Sequence, residues 1–122
     1  MDSLPKILLV EDLQDTIKIV KIMCAGCYQI DSAGYIEEAL EKISSNSYDM
    51  ILMDINLKQP MDGIMLAKIL KEQKIFVNKP IIAFTAYYMT DDEDNLREAG
   101  MDGFIQKPVM KKELLKRIAE YI

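Results

Sequence analysis

The 122-residue sequence contains no histidine, and only two cysteines, five glycines and four prolines. Without an imidazole the chain cannot build a Ser-His-Asp triad, a Cys-His nucleophile or a His-ligated zinc site of its own. No apolar run approaches the roughly 18 residues that a membrane span needs. The start, Met1-Asp2-Ser3-Leu4-Pro5-Lys6, lacks the basic and apolar regions of a signal peptide. Basic residues are outnumbered, 15 Lys+Arg against 20 Asp+Glu, which gives a net charge of −5 and a pI near 4.7. That sign argues against direct nucleic-acid binding. Neither G-x-x-x-x-G-K-[ST] nor G-x-G-x-x-G occurs, so no glycine loop is available to cradle a nucleotide's phosphates. The expectation is one cytoplasmic domain over residues 1–122, with no membrane insertion and no kinase or ATPase site.

What the chain does have is apolar residues, 50% of the total, in an ordered arrangement. Four short continuous runs each end in polar residues: Ile7 to Val10 before Glu11-Asp12, Met50 to Met53 before Asp54, Ile81 to Phe84 before Thr85, and Phe104 to Gln106 before Lys107-Pro108. Continuous runs of this length suit strands covered on both faces, as in a parallel sheet. A weaker strand pattern covers Tyr28 to Ala33. Between the runs, apolar residues recur at helical spacing: Ile17, Val20, Met23 and Cys24; Ile36, Ala39, Leu40 and Ile43; Leu66, Ile69 and Leu70; Leu114, Leu115, Ile118 and Ile122. A fourth helix is expected to start near Thr90, where Asp91, Asp92 and Glu93 suit an N-terminus, and to end at a left-handed Gly100. Strand and helix alternate throughout, which predicts an α/β fold with helices on both faces of a parallel sheet.

In such folds the working residues lie beyond the carboxyl ends of the strands, where Glu11, Asp12, Asp54, Thr85 and Lys107 all fall. If the first and third strands are neighbours, three carboxylates meet in one pocket and oppose one another's ionisation. A hard divalent cation such as Mg²⁺ resolves that conflict. Carboxylates, a metal ion, a hydroxyl and an ammonium together suit phosphoryl transfer. Asp54, alone at its strand end, is the candidate covalent acceptor, while Glu11 and Asp12 read as a metal-holding pair.

The segments Leu8-Leu9-Val10-Glu11-Asp12, Asp49 to Asn56, Phe84-Thr85-Ala86 and Ala99 to Pro108, in this order and spacing, resemble the receiver domain of two-component response regulators. The resemblance covers essentially the whole chain. It implies a doubly wound (βα)₅, flavodoxin-like three-layer sandwich with strand order 2-1-3-4-5. It also implies that Asp54 accepts a phosphoryl group from a phosphohistidine on a histidine kinase or histidine phosphotransfer protein. Mg²⁺ would be held by Asp12, Asp54 and the Asn56 carbonyl, with Glu11 acting through water. Lys107 would pair with the carboxylate or phosphate, and the peptide before Pro108 would be cis. On phosphorylation Thr85 would move toward the phosphoryl oxygens and Phe104 would turn inward, altering the face of the fourth helix, fifth strand and fifth helix for a downstream protein target. Such a chain is a signalling phosphoacceptor that catalyses only its own phosphorylation and dephosphorylation, as a monomer or a weak phosphorylation-dependent dimer. Departures from the family pattern are Lys58 and Asp62 at offsets where proline and glycine are usual, with Pro60 and Gly63 coming later.

An aspartyl-phosphate phosphatase of the haloacid dehalogenase type also combines Asp, Mg²⁺, Thr and Lys, but it wants a second aspartate where this chain has Asn56. A receiver excised from a hybrid histidine kinase would look the same as a stand-alone one. A flavodoxin-like cofactor binder would need a Ser/Thr/Gly-rich phosphate loop after the first strand. Cys24-Ala25-Gly26-Cys27 has redox spacing but falls at a helix C-terminus, where the dipole disfavours a thiolate, so both cysteines are expected to be core or turn residues. Among the nine methionines, Met61, Met89, Met101 and Met110 are expected near the pocket or the output face, chiefly as gap fillers. Tyr87-Tyr88 could flank the pocket entrance. Lys111-Lys112 and Lys116-Arg117 are expected to form a solvated helix face.

Overall fold

The structure is a computed structural model, and it describes residues 4–55, 62–86, 94 and 96–122. The strands are β1 (Lys6–Val10), β2 (Gln29–Ala33), β3 (Met50–Met53), β4 (Ile81–Thr85) and β5 (Gly103–Gln106). They form one parallel sheet in the order β2-β1-β3-β4-β5. The helices are α1 (Gln14–Cys24), α2 (Ile36–Ser45), α3 (Asp62–Glu72), a segment α4 seen in helical residues 94 and 96–98, and α5 (Lys111–Tyr121). This is the doubly wound, flavodoxin-like architecture expected from the sequence. Thr85 lies within β4 rather than beyond it.

Strand side chains alternate between the two faces of a sheet, and here each face meets its own helices. Leu8, Val10, Ile51, Met53 and Ala83 pack with Ala39 and Ile43 of α2, Leu66 and Leu70 of α3, and Leu96 of α4. Ile7, Leu9, Met50, Leu52, Ile82, Phe84 and Ile105 pack with Ile17, Val20 and Cys24 of α1 and Leu114 and Ile118 of α5. Both faces are covered, which is why the strands read as unbroken apolar runs. The end of α4 follows its expectation: Gly100 has φ of +100°, and the Met101 N–H donates to Leu96 O at 3.0 Å, the closing bond of a left-handed C-cap.

At the amino end of the sheet two aspartates each accept a hydrogen bond from the first N–H of a strand. Asp49 Oδ2 takes the Lys6 N–H and Asp102 Oδ2 takes the Ile81 N–H, both at 2.9 Å. At the two margins, carbonyls that point away from the sheet have no strand partner. Lys42 of α2 donates to Ser32 O on β2, and Arg117 of α5 donates to Phe104 O on β5 at 2.8 Å.

Two expectations for α5 are corrected. Ile122 is exposed rather than part of the buried stripe, because the helix ends at Tyr121. Arg117 is half-buried against β5, whereas Lys111, Lys112 and Lys116 are exposed as expected.

Leu52 is fully buried at the centre of the sheet. Leu52→Ala is expected to lower the unfolding free energy by about 2–5 kcal/mol, read from urea denaturation. Ile22→Ala, on the exposed side of α1, is expected to change it by less than about 0.5 kcal/mol.

Candidate functional site

Each site residue stands at the carboxyl end of a strand, and the sheet fixes its backbone there. The hydrogen-bond ladder runs one residue past three of the strands: Glu11 N–H donates to Ala33 O at 2.8 Å, Asp54 N–H to Val10 O at 2.9 Å, and Lys107 N–H to Thr85 O at 2.8 Å. Val10 pairs with Met53 in register, so Glu11 and Asp54, one residue further on, are brought side by side. The neighbourhood of β1 and β3 on which the sequence reading depended is present.

The carboxylate oxygens of Glu11, Asp12 and Asp54 come within 4.8 Å of one another. Glu11 is fully buried, Asp54 nearly so at 4% exposure, and Asp12 half-buried. Lys107 Nζ donates to Glu11 Oε2 at 2.6 Å and lies 3.5 Å from Asp54 Oδ2. The ammonium therefore sits closer to Glu11 than to the candidate acceptor. It also lies 4.9 Å from the centroid of the Phe84 ring, a cation–π contact at the floor of the site. The other Glu11 oxygen, Oε1, accepts the Leu13 N–H at 3.2 Å, tying the carboxylate to the entry of α1.

Burial pushes the Glu11 carboxyl above its ordinary range. The Lys107 hydrogen bond opposes that shift, and the Asp54 charge adds to it. Among the described residues, three carboxylates and one ammonium give the pocket a formal charge of −2. Hard oxygen donors with that charge fit Mg²⁺, whose preference is for carboxylates, carbonyls and waters. Asn56, expected to add its carbonyl, lies outside the described residues, as do Tyr87, Tyr88, Met61, Met89 and Thr90 with Asp91 to Glu93.

Gly63 explains part of the departure in the loop pattern. A Cβ built there would lie 2.7 Å from Ile55 Cα and against the Asp54 carbonyl. The first turn of α3 thus packs backbone to backbone on the segment that carries Asp54, an approach that only glycine permits. Thr85 is fully buried, and the Lys107–Pro108 peptide is cis, as the resemblance implies. Phe104 is half-buried and packs on the core next to Ala83.

The residue missed at the sequence level is Arg117. Its guanidinium bonds the Phe104 carbonyl and lies 5.9 Å from the Phe104 ring centroid. The signal was present, because Leu114, Arg117, Ile118 and Tyr121 follow one helical stripe and all are buried or half-buried. The cysteine pair carries no reactive signature. Cys24 is buried and Cys27 exposed, both are free thiols, and burial pushes the Cys24 thiol up to about 11.

Fold and site together define a flavodoxin-like α/β domain with an acidic pocket, a buried hydroxyl and an ammonium at the carboxyl end of its sheet. The sequence matches the family model for the response regulator receiver domain over residues 7–119, and the chain belongs to that family. It is 36% identical to part of hybrid signal transduction histidine kinase L of Dictyostelium discoideum, over 97% of this chain but 7% of the kinase. It is 30% identical to the polar-differentiation response regulator DivK of Brucella ovis, over 95% of this chain and 94% of DivK. Among solved structures, the chemotaxis protein CheY4 of Vibrio cholerae superposes with a TM-score of 0.90 at 25% identity, covering 98% of this chain and 100% of that one. The Francisella response regulator 1452 receiver domain superposes with a TM-score of 0.83 at 30% identity, covering 96% and 95%. No helix among the described residues is long and apolar enough to cross a membrane.

The raised Glu11 pKa means that the folded chain holds this proton more tightly than the unfolded chain. Its contribution to stability is therefore complete below the ordinary value of 4.5 and is lost as pH rises through the folded value. Lys107→Met removes the Lys107 interactions that lower the Glu11 pKa and takes the ammonium from both carboxylates. In metal-free buffer, urea unfolding of Lys107→Met is expected to show a deficit of about 3–5 kcal/mol near neutral pH. The deficit should shrink toward pH 4 as Glu11 protonates.

Proposed function

We propose that this receiver domain is a signalling phosphoacceptor in which Asp54 takes a phosphoryl group from a phosphohistidine on a histidine kinase or histidine phosphotransfer protein. The observation that carries the reading is the meeting of Asp54 with Glu11, Asp12 and Lys107 in one pocket. An Asp54 carboxylate oxygen attacks phosphorus while the P–N bond of the donor breaks and its electron pair returns to the imidazole. The donor must be another group, because the chain has no histidine.

Glu11, Asp12 and Asp54 would hold Mg²⁺, which when bound supplies positive charge against the phosphoryl oxygens. Lys107 adds the fixed ammonium, 3.5 Å from Asp54 Oδ2, and stabilises charge as it develops on the transferred group. Its 2.6 Å bond to Glu11 keeps that ammonium in place before a phosphoryl group arrives. Thr85 offers its hydroxyl at the end of the neighbouring strand. After transfer, Thr85 closes on the phosphoryl oxygens and Phe104 follows inward, which changes the face of α4, β5 and α5 that a downstream protein reads. The chain is a switch and not an enzyme acting on other substrates. The kinship with DivK, which this chain nearly matches in length, and with one segment of a hybrid kinase supports a two-component or phosphorelay role in the cytoplasm.

Exposure to acetyl phosphate followed by intact-mass measurement tests the reading. One phosphoryl group is expected to add to the wild-type chain in the presence of Mg²⁺. None is expected after chelation, and none in Asp54→Asn. A wild-type mass that does not change under any condition refutes the proposal.

A further inference from the structure

Arg117 carries the contact between α5 and Phe104. Arg117 Nη2 donates to the Phe104 carbonyl at 2.8 Å, and the same guanidinium lies 5.9 Å from the Phe104 ring centroid. Arg117 is itself held on several sides. Tyr121 Oη lies 3.5 Å from Nη2, and Glu120 Oε2 lies 3.3 Å from Nε. The Nε–Glu120 approach is an ion pair without hydrogen-bond geometry, and Nε is buried.

Tyr121 adds a second hold on the same strand. A Cβ placed on Gly103 would collide with its phenol ring, so the last turn of α5 lies directly on Gly103-Phe104. Next to Phe104 is a cleft of about 200 Å³ lined by Leu96, Arg97, Met101, Asp102, Gly103 and Tyr121 as well. Phe104 therefore borders a cleft and is also in contact with the Arg117 guanidinium.

We propose that Arg117 is a latch on the switch aromatic: a positioning residue that holds Phe104 where it stands and so favours the unphosphorylated arrangement. This inference rests on the phosphoacceptor reading above. A backbone carbonyl moves little when a side chain changes rotamer, so the Phe104 O bond anchors the guanidinium in both arrangements. The ring contact does not survive if the ring turns toward Thr85. It exists on one side of the equilibrium only, and an interaction with that property biases the populations. A cation–π contact at this distance is worth about a two- to fivefold shift in the equilibrium. Arg117 achieves this without touching the acidic pocket, so the latch and the chemistry can be altered separately.

The test uses the full chain labelled with 4-fluorophenylalanine, with the Phe104 fluorine resonance assigned by its loss in Phe104→Leu. Wild type, Arg117→Met and Arg117→Lys are compared before and after acetyl phosphate with Mg²⁺, and thermal melts confirm that each is folded. In Arg117→Met the Phe104 resonance of the unmodified protein is expected to move toward its position in phosphorylated wild type. Phosphorylation followed by intact mass is expected to be about two- to fivefold faster. Arg117→Lys keeps the cation but loses the planar fork, and should fall between the two. An Arg117→Met protein phosphorylated at the wild-type rate, or one whose Phe104 resonance stays in place, overturns the latch and leaves the phosphoacceptor reading intact. If wild type itself takes no phosphoryl group, the phosphoacceptor reading fails, and the latch with it.

Discussion

Two almost fully buried carboxylates, those of Glu11 and Asp54, stand beside each other at the ends of neighbouring strands, and the Lys107 ammonium is shared between them. Burying an ionised carboxylate costs several kcal/mol unless it is paired, and burying two adjacent ones is worse. Lys107 makes the arrangement tolerable, and its position is therefore constrained from several directions. The ladder bond to Thr85 O fixes its backbone, the Phe84 ring lies under its ammonium, and Glu11 Oε2 accepts its hydrogen bond at 2.6 Å. The pairing of β4 with β5 is thus tied to the charge balance of a pocket that begins two strands away.

That balance is incomplete: among the described residues one positive group faces three acidic ones. The residual negative charge suits a hard cation, and the Lys107 ammonium lies nearer to Glu11, at 2.6 Å, than to Asp54, at 3.5 Å.

Most of the fold was readable because both faces of the sheet are covered. Ile7 to Val10 and Met50 to Met53 could be recognised as strands only through their lack of alternation, and that lack follows directly from packing between α1/α5 and α2/α3/α4. The site was readable because a parallel sheet gathers the residues that follow its strands, so Glu11, Asp12, Asp54 and Lys107 converge whatever their separation in sequence. Other features depend on side-chain reach and on which helix face a residue occupies more than on residue type. Lys107 prefers Glu11 over Asp54 by the reach of its side chain. Arg117 resembles its lysine neighbours in charge, yet a rotation of one residue along α5 turns it onto β5 while Lys116 points to solvent. Gly63 looked like a misplaced loop glycine until the closeness of α3 to Ile55 was visible.

Lys42 on Ser32 O and Arg117 on Phe104 O each cover one carbonyl at a margin of the sheet with a cation drawn from a flanking helix. A covered carbonyl is one bond fewer for a strand from another molecule, or from an adjoining part of the same polypeptide, to add to the edge. Such guarding suits a domain whose relatives include a response regulator matched over 94% of its length and a kinase matched over 7%.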